Sequence, residues 1–333
     1  MSKHTTRIKE DAADYYERHG VLEEIENGTV EFALDEELRR QILSGQRTRR
    51  LQNVSIKLDP AQIQALRKIA TMKTVVYSTL FGQYEPLQEI AIPRRDAADF
   101  ILFTDAPGLR SRTWEVVHTG RLSSDPARDA RRIKILAHEY LADHEISIYH
   151  DARIRLKAPP AAFLAEFLPE PHSLFGCVKH PDRDCIYEEA DVVASSRMDD
   201  PTKVHRQMAR YRDEGYPAHN GLIAGGFLVR RHNDPQVVSA MKAWWQEVTN
   251  GSYRDQLSFN YIAWKLRFAF HALDWDLRDN HFFDWLPPAP NRIPYGFSDA
   301  EYLALNPDVA AARMDPRHHW SRYGYREGRR YRL

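Results

Sequence analysis

The sequence predicts an α/β protein with a mostly parallel sheet flanked by helices, and three observations carry that expectation. From position 74 onward, short β-prone runs alternate with segments of helical period, the pattern of βαβ units. Thr74 to Phe81 reads as a buried strand, and Phe100 to Asp105 follows it in the same manner. The run Ile146-Ser147-Ile148-Tyr149-His150-Asp151 then delivers one carboxylate where a strand should end, which is where open parallel sheets bind ligands.

The elements follow in order. Residues 1–70 are polar and rich in Arg, Lys and Glu, and they read as a separate α-rich unit with helices over Asp35 to Arg40 and Pro60 to Ala70. Between these, Asn53 to Leu58 alternates apolar and polar as a short strand does. Asp59-Pro60 then caps a helix whose Ile63, Leu66 and Ile69 recur at helical spacing. This strand and helix, preceded by Arg47, Arg49 and Arg50, resemble part of a CopG-type ribbon-helix-helix antitoxin, in which strands pair across a dimer and enter the major groove. The second helix of that motif is missing, because Thr74 to Phe81 reads as strand. Residues 71–290 form the main domain: strands at Val75 to Leu80, Phe100 to Asp105, Trp114 to Val117, Ile146 to Tyr149, Phe175 to Val178 and Gly221 to Arg230. Helices are expected at Arg131 to Leu141, Ala161 to Leu168, Asp199 to Glu214, Gln236 to Val248 and Asp255 to Phe270. Pro287, Pro288, Pro290 and Pro294 mark a linker, and 291–333 form a small aromatic and basic module.

Composition narrows the function. Among 333 residues, 47 basic side chains balance 47 acidic ones, so no global field favours nucleic acid or an anionic membrane. Two cysteines, Cys177 and Cys185, make no disulfide framework, and with His180 they match no closed zinc site. The N-terminus lacks a signal-peptide core and no apolar run is long enough to span a bilayer, so a cytoplasmic chain, at most peripheral to a membrane, is expected. Association of identical chains is left open.

The chemistry-bearing residues come in a recognisable series. Val76 to Gly82, Phe103-Thr104-Asp105, Arg131 with Lys134, Tyr149-His150-Asp151-Ala152-Arg153, Gly221-Leu222 and Arg254 to Phe259 together resemble the glycosyltransferase-like family that includes plant mucilage-related proteins, over roughly residues 74–270. The resemblance implies a GT-A-like architecture that transfers a sugar from a nucleotide-sugar donor to a glycan or related acceptor. It implies donor binding by Thr79, Tyr84, Asp105, Arg131, Lys134 and Asp151, and acceptor binding by His219, Asn220, Gly221 and Gly225. It places Asp255 and Gln256 against substrate as catalytic residues, and a divalent cation, Mn or Mg, on Asp151. Related enzymes usually present Asp-x-Asp, whereas this chain has Asp151-Ala152-Arg153. The second carboxylate is absent, so neutralisation of the departing diphosphate is shared with Arg131 and Lys134, three apart on one helix face.

Each assignment has a plainer rival. Asp105-Ala106-Pro107-Gly108 is good turn chemistry, Asp255 suits the first turn of a helix, and a tight bend explains the glycines near His219. Trp244 reads as core, and His180-Pro181 with Arg183 as a loop over the site. The tail Tyr302 to Val309, with His319-Trp320 and Glu327-Gly328-Arg329, is similar to a module appended to bacterial glycosyltransferases and surface-associated proteins, which suggests polysaccharide or surface-glycan synthesis. The alternatives are a DNA-binding regulator acting through the N-terminal segment, and a ceramide-type lipid amide hydrolase. The latter enters because the plant side of the family has been linked to ceramide hydrolysis, although no histidine cluster on membrane helices is visible here.

Overall fold

The computed structural model describes residues 73–287 except 83–84, 86, 93–97 and 171, residues 293–331 except 295–296 and 326, and three short strands nearer the N-terminus. Those strands, β1 (Thr6–Arg7), β2 (Thr29–Phe32) and β3 (Val54–Lys57), form a small sheet in which β2 pairs with β1 in parallel and with β3 antiparallel. The expected strand near Asn53 therefore exists and finds a partner within its own chain. The helices expected at Asp35 to Arg40 and Pro60 to Ala70 lie outside the described residues.

The main sheet has seven strands: β4 (Thr74–Leu80), β5 (Asp99–Thr104), β6 (Glu115–His118), β7 (Ile146–His150), β9 (Phe175–Lys179), β10 (Ile223–Arg230) and β11 (His271–Leu273). Their order is β11-β9-β10-β7-β4-β5-β6, and β10 alone runs against the rest. This is the mostly parallel α/β sheet flanked by helices that the sequence led us to expect. A two-stranded ribbon, β8 (Ile154–Leu156) with β12 (Phe283–Trp285), lies beside it; the sequence carried no signal for the pairing.

Because successive strand residues point to opposite faces, each strand feeds two cores. Val75, Tyr77, Phe103 and Tyr149 pack on one face with α1 (Pro126–Ile135), α4 (Ile186–Ser195), α5 (Pro201–Asp213), α6 (Pro235–Asn250) and α7 (Gln256–Leu266). Val76, Phe100, Leu102 and Ile148 pack on the other with α3 (Pro160–Phe167) and the ribbon. The short α2 (Ala137–Tyr140) continues α1 after a break at Leu136. Trp244 is fully buried in the first core, as expected, and its indole N–H donates to the Asp255 carbonyl at 2.9 Å. A third, small core of Ile293, Phe297, Tyr302, Val309 and Trp320 organises the C-terminal module, with helices α8 (Asp299–Leu305), α9 (Pro307–Ala311) and α10 (Pro316–His319).

Helix α1 decides where two cations stand. Asp125 caps it by accepting from the amides of Ala127 and Arg128, with Pro126 in the first turn. Its far end is held by the fully buried Arg230, which donates to the Lys134 carbonyl and to the Tyr77 hydroxyl. Tyr77 itself donates to the Lys134 carbonyl at 2.7 Å. A cation at a helix C-terminus suits the helix dipole. Burial pushes the Tyr77 hydroxyl up to about 12 despite the nearby guanidinium, so it remains a donor.

Candidate functional site

Strands β4 and β7 lie side by side, yet the chain leaves β4 toward β5 and returns to β7 only through α1. The switch point of the sheet therefore falls between their carboxyl ends, and a cleft of about 460 Å³ opens there. Thr79 and Asp151 reach it from the two strand ends, Arg131 and Lys134 from α1, Gly225 from β10, and Asp255 with Gln256 from the start of α7. On α1 the lining residues Ala127, Ala130, Arg131 and Lys134 fall at helical spacing, so one face of the helix is a wall of the cleft.

Lys134 and Asp255 form an ion pair at the cleft floor, with each side chain over nine-tenths buried. The Arg131 Nε stands 3.9 Å from the other Asp255 oxygen, and its guanidinium lies 5.1 Å from the centre of the Tyr253 ring. Burial opposes ionisation of Asp255, but the charges of Lys134 and Arg131 outweigh it and hold the carboxyl below its ordinary range. Two cations thus share one carboxylate. Gly225 lies tight against this pair: a Cβ there would stand 3.0 Å from the Lys134 Nζ and 3.3 Å from the Asp255 Oδ2, so the pair would have to shift by a few tenths of an ångström to admit it.

Asp151 follows β7 directly, and its amide donates to the Gly226 carbonyl at 2.9 Å. Its Oδ1 accepts from the Tyr149 hydroxyl at 2.8 Å, and that hydroxyl lies 3.3 Å from Thr79 Oγ1. Burial and the charge of Asp151 raise the Tyr149 hydroxyl well above its ordinary range, so it stays protonated and orients the carboxylate. Asp151 Oδ2 faces Gly226, where a Cβ would come within 3.1 Å of it. Arg153, which takes the place of a second carboxylate, also lines the cleft; it donates to the Leu286 carbonyl at 3.0 and 2.8 Å, and its guanidinium lies 5.6 Å from the centre of the Trp285 ring.

A profile of the TOD1/MUCI70, glycosyltransferase-like domain matches residues 42–281, most of the chain. The chain belongs to the TOD1/MUCI70 glycosyltransferase-like family. A curated relative, the "Probable hexosyltransferase MUCI70" of Arabidopsis thaliana, is 22% identical over 238 residues, which are 64% of this chain and 41% of that protein. The chain thus spans about two fifths of that relative's length. Among solved structures, mouse xyloside xylosyltransferase 1 in its apo form matches with a TM-score of 0.38 and 12% identity, over 61% of this chain and 85% of that one.

The structure of this TOD1/MUCI70 member gathers Thr79, Arg131, Lys134, Asp151, Gly225, Asp255 and Gln256, and it leaves four predicted residues elsewhere. Asp105 directly follows β5, but its two oxygens accept from the Gly82 amide at 3.0 and 3.1 Å, and Arg121 pairs with one of them at 2.9 Å. It holds the turn after β4 and does not line the cleft. His219, Asn220 and Gly221 also lie off the cleft: His219 pairs with Asp184 at 2.7 Å, and His219 and Gly221 both adopt positive φ. The positive φ at Gly221 calls for a glycine there. The loop of His180 and Arg183 is likewise pinned to Glu189 instead of covering the cleft. Tyr84 lies outside the described residues.

The cleft includes residues the sequence reading missed. Tyr149 was legible, since a position two before Asp151 on a strand shares its face. Tyr253, Trp285 and the C-terminal Phe297 and Arg317 carried no local signal. Among the described residues, the grouped potential metal ligands are Asp184, Glu188 and His219, which are exposed and outside the cleft, so no histidine-rich amidase centre is assembled there. No helix among the described residues is long and apolar enough to cross a membrane.

His150, next to Asp151, points to the opposite core, with its ring 5.5 Å from that of Trp114. Burial lowers its pKa from 6.5 to about 4. The folded chain therefore binds this proton less readily than the unfolded one. The stabilisation is complete above pH 6.5 and is lost as pH falls toward 4, by about 3 kcal/mol at most. Urea titrations across this range should show His150→Phe flattening that slope; an unchanged slope would place the acid sensitivity elsewhere.

Proposed function

We propose that this chain transfers a sugar from a nucleotide-sugar donor to a hydroxyl of a glycan acceptor, in polysaccharide or surface-glycan synthesis. The observation that carries the reading is the convergence, at the switch point of the sheet, of a strand-end carboxylate with two helix-borne cations. In the reaction the acceptor oxygen bonds to the anomeric carbon, the bond from that carbon to the diphosphate oxygen breaks, and the hydroxyl proton is released. The nucleoside diphosphate departs with the electron pair, and its charge must be met at once. Arg131 has the geometry for this, being fixed against Asp255 and Tyr253; burial opposes its charge, but Asp255, Tyr253, Asp151 and Tyr149 together outweigh it and raise its basicity.

Asp151 fits a divalent cation that takes one protein carboxylate and draws its other oxygens from substrate phosphate and water. Asp151 lines the cleft, and the Tyr149 hydroxyl holds its Oδ1 in place, which supports this. When bound there, Mg or Mn would supply Lewis-acid neutralisation of the leaving diphosphate. Asp255 suits positioning better than proton abstraction, because its lowered pKa and its pairing with Lys134 make it a weak base. Gln256 donates to the Ile223 carbonyl at 3.1 Å and ties the start of α7 to the rim of β10.

Calorimetry with UDP-, GDP- and dTDP-sugars, with and without Mg or Mn, tests the reading. Binding of at least one donor is expected, together with hydrolysis or transfer of its sugar. No binding across the series would overturn it.

A further inference from the structure

The C-terminal module is built against the cleft. Ile293, Phe297 and Arg317 all line it, together with Trp285, which is the last residue of β12. A Cβ on Gly226 would stand 3.1 Å from the Asp151 Oδ2 and 3.3 Å from the Trp285 ring, so Trp285 and the strand-end carboxylate border the same glycine. Arg317 is only 8% exposed. Its Nε donates to Asp299 at 2.8 Å, an Nη donates to the Phe297 carbonyl at 3.4 Å, and its guanidinium sits 5.6 Å from the Phe297 ring centre. These contacts, all within the module, hold the planar fork in one orientation at the cleft wall.

We propose that the module is a working wall of the substrate site, and that Arg317 contacts the diphosphate of the bound donor. The inference rests on the nucleotide-sugar reading above. Its location favours diphosphate over other anions: Arg317 lines the same cleft as Asp151 and Arg131, where the phosphates of a donor must come. A cation brought into that cleft on a buried tether loses little conformational entropy on binding, and a guanidinium is matched to phosphate oxygens.

The test uses the full chain with UDP and GDP as probes, and with uridine and guanosine as controls that lack phosphate. In calorimetry with Mg or Mn, Arg317→Ala should weaken diphosphate binding by about tenfold and leave nucleoside binding unchanged. Arg317→Lys should recover part of the loss. Thermal melting checks the fold; if the alanine variant is unfolded, Arg317→Gln, which is shorter but keeps an aliphatic stem and a polar end without the charge, is read in the same way. Unchanged diphosphate affinity in a folded Arg317 variant, while Arg131→Ala loses affinity, would overturn the role of the module and leave the proposed function standing. Absence of diphosphate binding by the parent chain would overturn both.

Discussion

Asp151→Asn is expected to lower sugar transfer by about 100- to 1,000-fold while the chain stays folded. Asparagine keeps the shape of the side chain and can still accept from the Tyr149 hydroxyl, which now lies 2.8 Å from Oδ1. What it removes is the negative charge beside Gly226 at the end of β7. A hard cation shared between that carboxylate and the donor phosphates would lose its one protein anchor, and the leaving diphosphate would depart with less of its charge met. Steady-state kinetics with a cognate donor, over a range of Mg or Mn concentrations, measures the loss, and thermal melting checks the fold. Raised metal concentration should recover part of the activity of the variant. Turnover equal to that of the parent would move the chemistry away from this strand end.

Lys134→Met should cost about 3–5 kcal/mol of stability, because it strands Asp255 at the cleft floor. The two side chains are paired and almost wholly buried, and the remaining cation, Arg131, stands 3.9 Å from the carboxylate. The pH dependence gives an independent reading. In the parent the folded pKa of Asp255 lies below its ordinary value, since the Lys134 and Arg131 charges outweigh burial. The unfolded chain then binds more protons, so this stabilisation is present above the ordinary carboxylate range and is lost as pH falls through the folded value. Without Lys134, burial is opposed only by the Arg131 and Arg254 charges, and the folded pKa rises. The deficit of the variant should therefore shrink on acidification, where a neutral Asp255 is tolerated. Urea unfolding near pH 7 and near pH 4 measures this, and Lys134→Met combined with Asp255→Leu should regain most of the loss. A single-variant deficit below about 1 kcal/mol would show that the pair is not the buried unit described here.

Much of the fold is legible along the chain because local rules suffice for it. Asp125-Pro126 starts α1 and Asp200-Pro201 starts α5, each through a side-chain cap and a proline in the first turn. Thr74–Leu80 and Ile223–Arg230 are buried at every position, as strands covered on both faces must be. The helix Ile186–Ser195 escaped notice because no capping side chain marks its start, and the ribbon of β8 with β12 escaped because its strands are three residues each and far apart in sequence.

The candidate site divides along the same line. Asp151 stands out as a carboxylate at the end of an apolar run, and Arg131 with Lys134 as cations on one helix face. Asp105 and His219 lie off the cleft for a physical reason: each has the right residue type near a strand end, but its partner, Gly82 and Arg121 in one case and Asp184 in the other, is brought up by the fold. Gln256 reads as a substrate-facing amide, yet its N–H goes to the backbone of β10.

By itself, then, the sequence determined the α/β class, the strand-end carboxylate, the cationic face of α1 and the membership of a glycosyltransferase-like family, since these rest on periodicity, capping and ordered short motifs. Only the tertiary structure decided that Lys134 is neutralised by Asp255, 121 residues away, that Gly225 and Gly226 are the close-approach points, and that a C-terminal module contributes to the cleft wall. The reason is that local sequence sets which way a side chain leaves its own element, whereas the charge it meets and the space left to it depend on which other elements pack against it.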